Sequence, residues 1–466
     1  MSRGLLFLVF SLASIDCLAQ SNTMPSRTPP AKLDVGAASP SSLATQPAAV
    51  PNPLGEAMLL YGKGDYDGAL AKYRDFLQLH PKSPDAYAGI IRVYLKQKNV
   101  EQAARTADEA LAASDAARIR VAHAEVLFRQ GKIDEAEKEW VAVINSGHAE
   151  ARAYLGLARV RRAIAMYKSA QTFIRKAHEL DSTDPDIEEQ WVSTLPRSER
   201  IKYLEEKLAA GGSLDAEERS NAANYLEYLK ERAKRSDKPC RLVSKVTSTE
   251  TPLVRLLSDP RHLRGYGLAV ELNGHKSSLM LDTGASGILV KRAIAEKAGI
   301  SKISTTKVGG VGDKGWKNAY VGVVDSIKVG DLEFQHCPIE VMESRSVADE
   351  DGLIGANVFD DFLVDIDFPD EKLKLSALPK RPGEAEQNLA LKDEEDSDAE
   401  SAASPQNSAG SDAKASPAPA GPQDRYISTE MQSYSRVFLF GHHILVPTKI
   451  GDVPPKLFIL DTGGFT

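Results

Sequence analysis

From about Leu54 to residue 187 the apolar positions recur with the 3.6-residue period of helices, and the pattern itself repeats. Small residues stand at Ala69, Ala103, Ala136 and Ala170, spaced 34, 33 and 34 residues apart, and Tyr66, Val100, Ile133 and Tyr167 keep that spacing three positions earlier. Gly64-Asp65-Tyr66, Lys98-Asn99-Val100 and Gly131-Lys132-Ile133 read as turns between paired helices. Tyr73, Trp140 and Phe173 are bulky core positions just after the small residue, and Pro81 and Pro185 close units. Residues 199–235 predict one further helical pair, broken at Gly211-Gly212 and capped by Ser213 or Asp215, which would solvate the end of the stack. After Lys238-Pro239-Cys240 the period moves towards two. Gly267 to Leu272 alternates as a strand, Asn273-Gly274 signals a tight hairpin, and Ser277 to Leu281 returns. This β-rich stretch runs to about Leu378. Residues 379–424, rich in acidic residues, Ser, Ala and Pro, read as a disordered tether, and strand character resumes from Arg425: Val437 to Phe440, Ile444 to Ile450, a Gly451-Asp452 turn, then Lys456 to Leu460.

The helical period and its residues resemble tetratricopeptide repeats, in which the small Ala lets paired helices approach and stacked units bury a shared core. Four such units cover residues 54–190, and 191–238 form a helical cap. The resemblance implies a concave surface for an extended peptide or partner protein. The chain has 466 residues, enough for several domains, and a net charge of -7 with no Lys/Arg-rich block, which excludes a nucleic-acid-binding footprint. Arg3, the apolar run Gly4 to Ile15 and the small residues before Gln20 read as a secretory signal over residues 1–19, with a disordered leader over 20–53. That run is too short to span a bilayer, and no later segment is long enough. The expected setting is periplasmic or secreted, where Cys240 and Cys337 either pair or stand as buried thiols.

Asp282-Thr283-Gly284-Ala285-Ser286, entered from Leu279-Met280-Leu281, is followed late in the chain by a second Asp461-Thr462-Gly463. Leu353-Ile354-Gly355 stands some seventy residues after the first turn, ahead of Phe362 to Asp367 and Leu373-Lys374-Leu375. Together these resemble the retropepsin-like aspartic proteases, relatives of pepsin, over a first lobe at 252–378 and the start of a second at 425–466. The resemblance implies a multidomain α + β chain: an N-terminal α-solenoid, an all-β acid-protease lobe, and the beginning of another. It implies that Asp282 and Asp461 are the catalytic pair and that Thr283 and Thr462 lock the two turns together. Gly284 and Gly463 would let backbone pass close to the carboxylates, and Ser286 would support Asp282 from outside. Gly309, Gly310, Gly312 and Trp316 fall where the family has its flap. Such chemistry needs two carboxylates sharing one proton and no metal or organic cofactor.

The Gly-rich stretch lacks the helix and Lys-Ser/Thr pair of a phosphate cradle. His442-His443, adjacent with no ligand at metal spacing, reads as an edge-strand pair on opposite faces. Phe465 and its neighbours replace Ala-Ser after the second Gly, so the outside hydroxyl is expected to be missing there. With the chain stopping five residues after Asp461, either the sequence is a fragment of a longer protein, which is the favoured expectation, or the second turn is a relic. A homodimer pairing two copies of Asp282 is a third arrangement. The leading functional expectation is an exported aspartic endopeptidase whose repeats dock its protein substrate or a partner. The alternative is an envelope scaffold with an inactive protease-like domain.

Overall fold

The computed structural model describes residues 53–209, 216–234, 240–309, 316–343, 351–379 and 424–463. The expected signal, all but the last residue of the leader, the Gly211-Gly212 break with its caps, and nearly all of the acidic tether lie outside these residues.

Eleven of the described helices come first. The paired units are α1 (Pro53–Gly62) with α2 (Tyr66–Leu79), α3 (Pro84–Lys96) with α4 (Val100–Ala113), α5 (Ala117–Arg129) with α6 (Ile133–Asn145), and α7 (Ala151–Ala163) with α8 (Tyr167–Leu180). The repeated small residues Ala69, Ala103, Ala136 and Ala170 are 0–1% exposed, so helices meet where a larger side chain would hold them apart. Tyr73 and Trp140 pack as core, each lying over a glycine of the next helix in the stack: any side chain at Gly89 or Gly156 would overlap their rings. Each intra-unit turn contains one residue with left-handed backbone at the same repeat position, namely Gly64, Lys98, Gly131 and Ala165. Asp65 and Asn99 then cap the following helix by accepting from the amides of Gly68 and Gln102.

Helices α3, α5 and α7 turn charged side chains into one shared interior. At the start of α9 (Pro185–Val192), Asp184 accepts from Arg152 Nε and Nη2, and Asp186 from Arg152 Nη2. Asp186 also pairs with Lys96 Nζ at 2.6 Å and accepts from the Tyr61 hydroxyl at 2.7 Å, so α9 reaches back across the array to α1.

The last helical pair, α10 (Arg197–Ala209) and α11 (Ala216–Lys234), has a small core of Leu204, Ala222 and Leu229. Its outer face is not left to solvent as a cap would be. Helix α11 lies along strand β6 (Lys302–Val308), and Arg232 Nη1 donates to the His336 carbonyl, so the pair joins the array to the β lobe.

The lobe is one sheet closed on itself. Its other strands are β1 (Arg241–Leu242), β2 (Thr249–Asp259), β3 (His262–Leu272), β4 (His275–Asp282), β5 (Ile288–Lys291), β7 (Lys317–Val329), β8 (Leu332–Met342), β9 (Gly352–Gly355), β10 (Phe362–Asp367) and β11 (Lys372–Ala377). Their order is β10-β11-β2-β3-β4-β9-β5-β8-β7-β6, with β3 also pairing β7 and a short α12 (Arg292–Lys297) after β5. Asn273 and Gly274 both take positive φ, the turn that a two-residue hairpin requires. Leu268, Leu272, Leu279, Leu281, Ile354 and Leu373 form the fully buried centre, each contributing about 1.5–3 kcal/mol by leaving water.

Cys240 and Cys337 form a disulfide that closes a span of 97 residues and ties the entry of the lobe to β8. Replacing both cysteines by Ser is expected to lower stability by about 2–4 kcal/mol, because the unfolded chain regains the closed loop's freedom. Chemical denaturation of the two proteins checks this; equal midpoints would refute it.

Candidate active site

Strand β4 delivers Asp282 out of the buried run Leu279-Met280-Leu281 and beside Gly355 of the parallel strand β9. Leu353-Ile354-Gly355 thus serves as the expected companion of the first turn. Gly355 donates to the Gly287 carbonyl at 2.8 Å, and Gly287 donates to Asn357 Oδ1 at 2.9 Å, which pins the end of the turn. A side chain at Gly355 would overlap the Ala285 carbonyl.

Asp461 arrives from a separate three-stranded sheet, β12 (Phe438–Phe440), β13 (His443–Thr448) and β14 (Lys456–Ile459). The strand limits predicted from sequence hold to within two residues. The two Asp-Thr-Gly turns meet face to face within one chain. Thr283 Oγ1 donates to the Leu460 carbonyl at 2.7 Å and accepts from the Thr462 amide at 3.0 Å. In mirror fashion Thr462 Oγ1 donates to the Leu281 carbonyl at 2.9 Å and accepts from the Thr283 amide at 3.1 Å. Thr283 is 1% exposed and Thr462 partly buried, so these four bonds are largely shielded from water.

Each aspartate also accepts from the amide of its own turn's glycine, Asp282 Oδ1 at 2.8 Å and Asp461 Oδ1 at 2.9 Å. Each glycine faces the other turn's carboxylate. A Cβ on Gly284 would stand 2.9 Å from Asp461 Cγ, and one on Gly463 would overlap the Asp282 carboxylate. Glycine is therefore required in both turns by the nearness of the two acids.

Asp282 is partly buried and Asp461 exposed, so the pair opens to solvent on one side. Burial is the main reason the Asp282 carboxyl is pushed up to about 6; the Asp461 charge adds to this, and the Gly284 and Ala285 amides work against it. Ser286 sits in the same turn, partly buried. Gly309 and Trp316 end the paired part of the β6–β7 hairpin, with Gly309 against the Trp316 ring and the indole 49% exposed. Gly310 and Gly312, and the residues after Gly463, lie outside the described residues. Among the described residues no group of three or more His, Cys, Asp or Glu is gathered as a metal ion would need.

His442 is the site residue that sequence reasoning missed. It is 6% exposed, and its Nε2 donates to the Gly284 carbonyl at 3.1 Å, inside the first turn. Its ring lies 3.9 Å from that of His443, so the two are in ring contact rather than placed on opposite faces. Burial, and then the neighbouring His443, push His442 down to about 4, and the neutral ring holds the Gly284 peptide as a donor. An adjacent His pair with no ligand spacing offered no signal of this contact.

Residues 268–358 match the aspartyl protease family model, and residues 60–122 match the tetratricopeptide repeat model. The UBA domain-containing protein Mud1 of Schizosaccharomyces pombe is 32% identical over 108 residues, covering 23% of this chain and 31% of Mud1, so the match spans about a third of that relative's length. The retropepsin-like aspartic protease from Rickettsia conorii aligns over 30% of this chain and 98% of its own at 21% identity, with a TM-score of 0.22. A thermophilic TPR protein from Thermus thermophilus aligns over 30% of this chain and 96% of its own at 19% identity, with a TM-score of 0.22. The chain thus joins a helical array that matches the tetratricopeptide repeat model to a β lobe that matches the aspartyl protease model.

Proposed function

We propose that this protein is an exported aspartic endopeptidase that hydrolyses peptide bonds with water activated between Asp282 and Asp461. The observation that carries the reading is the reciprocal locking of the two Asp-Thr-Gly turns, which puts each glycine against the opposing acid. Two carboxylates this close share one proton and titrate as a unit. Asp282, with its carboxyl raised, carries that proton and donates it to the scissile carbonyl oxygen. The partner carboxylate takes a proton from water as the water oxygen bonds to the carbonyl carbon. The resulting tetrahedral diol collapses as the C–N bond breaks, the amine takes up the proton held by one acid, and the other acid recovers its own. Reciprocal hydrogen bonds leave the carboxylates little to reorganise during these steps.

Export is supported by the N-terminal pattern of Arg3 and the apolar run after it, and by the Cys240–Cys337 disulfide, which suits an oxidising compartment. Substrate or a partner protein is proposed to dock on the repeat array.

The test is incubation of the purified protein with a mixed peptide library, with cleavage sites read by mass spectrometry. New termini below about pH 6 support the reading. A library left intact at every pH leaves the scaffold reading in its place. The rate should also fall as pH rises through about 6, since the proton needed on Asp282 is then lost. A rate that climbs steadily into alkaline solution would contradict a shared-proton pair.

A further inference from the structure

The hairpin sheet that brings Asp461 to the site is seated on the repeat array. Phe438, Leu445 and Leu457 join the apolar cluster of α5, α6 and α7 that contains Phe128, Ile133 and Trp140. Phe438 is 6% exposed there, whereas Phe440, Phe458 and Ile459 of the same small sheet are 40, 46 and 51% exposed. The array therefore supplies much of this sheet's burial. A short three-stranded sheet is held in place by what its apolar face packs against.

Polar contacts fix the same seat. Arg436 Nη1 donates to Asp134 Oδ1 at 2.7 Å, and its guanidinium lies 4.8 Å from the Phe438 ring centre. Upstream, Asp424 accepts from the Ser169 amide and hydroxyl, the Arg425 amide donates to the Ala165 carbonyl, and the Arg425 guanidinium donates to the Asp360 carbonyl of the lobe. Leu457, four residues before Asp461, lies directly over Gly131, where an added Cβ would stand 3.9 Å from Leu457 Cβ.

We infer that the third and fourth repeat units position Asp461, with Leu457 and Phe438 as the positioning residues, so that the array is a structural half of the active site as well as a docking surface. This rests on the reading of Asp282 and Asp461 as the catalytic pair. The threonine bonds fix the two turns against each other only while the hairpin is presented at the right height and angle. A misplacement of about 1 Å in such a group costs roughly 10²-fold in rate.

Three variants of the full chain test this. Gly131→Cys with Leu457→Cys places two Cβ atoms at a separation suited to a disulfide. A side chain is tolerated at that left-handed turn position, which Lys98 and Ala165 occupy in neighbouring units. On oxidation a 131–457 cross-link should appear in peptide maps, and the linked protein should cut peptides within about twofold of its reduced form. In Leu457→Asp, kcat should fall by about 10²-fold with KM nearly unchanged, and Leu457→Met should restore it. Failure to cross-link, a linked protein that is inactive while its reduced form cuts, or a Leu457→Asp protein with normal kcat would each overturn the inference.

If the unmodified protein cuts no peptide, the catalytic reading fails by itself. The positioning claim is then read from hydrogen exchange at the Thr462 amide, which donates to Thr283 Oγ1. Leu457→Asp should speed that exchange at least about tenfold while leaving β3 and β4 protected. Unchanged protection at Thr462 would overturn it.

Discussion

Asp282→Asn is expected to lower peptide cleavage by at least about 10³-fold, with Asp461→Asn falling equally far and the double variant falling no further than either alone. One proton shared by two acids makes the pair a single device, and an amide in place of either acid removes the proton donor or the base without changing shape. Folding should suffer little, because Thr283 and Thr462 still lock the turns together and an Asn side-chain oxygen can accept from the glycine amide of its own turn as the carboxylate does. Removing one acid should even steady the protein above about pH 6. The raised Asp282 carboxyl binds its proton more tightly folded than unfolded, so its contribution is favourable below the ordinary carboxylate range and is lost as pH rises through about 6. Initial rates on one library-derived peptide, together with melting curves at two pH values, check both halves. Multiplicative losses in the double variant would show two independent groups in place of a pair.

Asp186→Ala should be among the most destabilising single changes in the array, by about 3–5 kcal/mol. Burial opposes ionisation of this carboxyl, yet Lys96 and Arg152 outweigh it and hold Asp186 well below the usual carboxylate range. Deleting it strands a largely buried lysine and a buried arginine without this counter-charge, and leaves the Tyr61 hydroxyl without its acceptor. It also cuts the link between α1 and α9. The same sign governs pH: stability from Asp186 is complete above the ordinary carboxylate range and is lost only as acid reaches its depressed value, so the network survives the mildly acid conditions that suit the proposed chemistry. Urea unfolding of the two proteins at neutral pH measures the effect. A shift below about 1 kcal/mol would mean that the network is solvated rather than buried.

Much of this molecule was legible in its sequence because the informative signals are local. The spacing of Ala69, Ala103, Ala136 and Ala170 specified paired helices, Asn273-Gly274 specified a hairpin, and a tripeptide entered from an apolar strand specified each half of the site. What was not legible depends on contacts between distant segments. Leu445 and Leu457 look like ordinary inward strand residues, and Phe128 and Trp140 like ordinary repeat core; nothing in their periodicity says that they share one cluster. Arg436 and Asp134 are 302 residues apart. The charged residues inside the array would each read as solvated helix surface, and their recurrence on alternate helices acquires meaning only once the helices stack. Likewise Cys240 and Cys337 offered a pair without a distance until β1 was laid against β8.

The reciprocal threonine bonds have a consequence for the order in which the chain is made. Thr283 finds its acceptor at Leu460, 177 residues further along, and its donor at Thr462, 179 residues further along. Translation therefore completes the array and the lobe, with Asp282 already in place, well before any partner exists for it. On the catalytic reading, the nascent protein passes through the ribosome as an inert half-site. Its proteolytic capacity would arise only once the late hairpin has been made and reaches its seat.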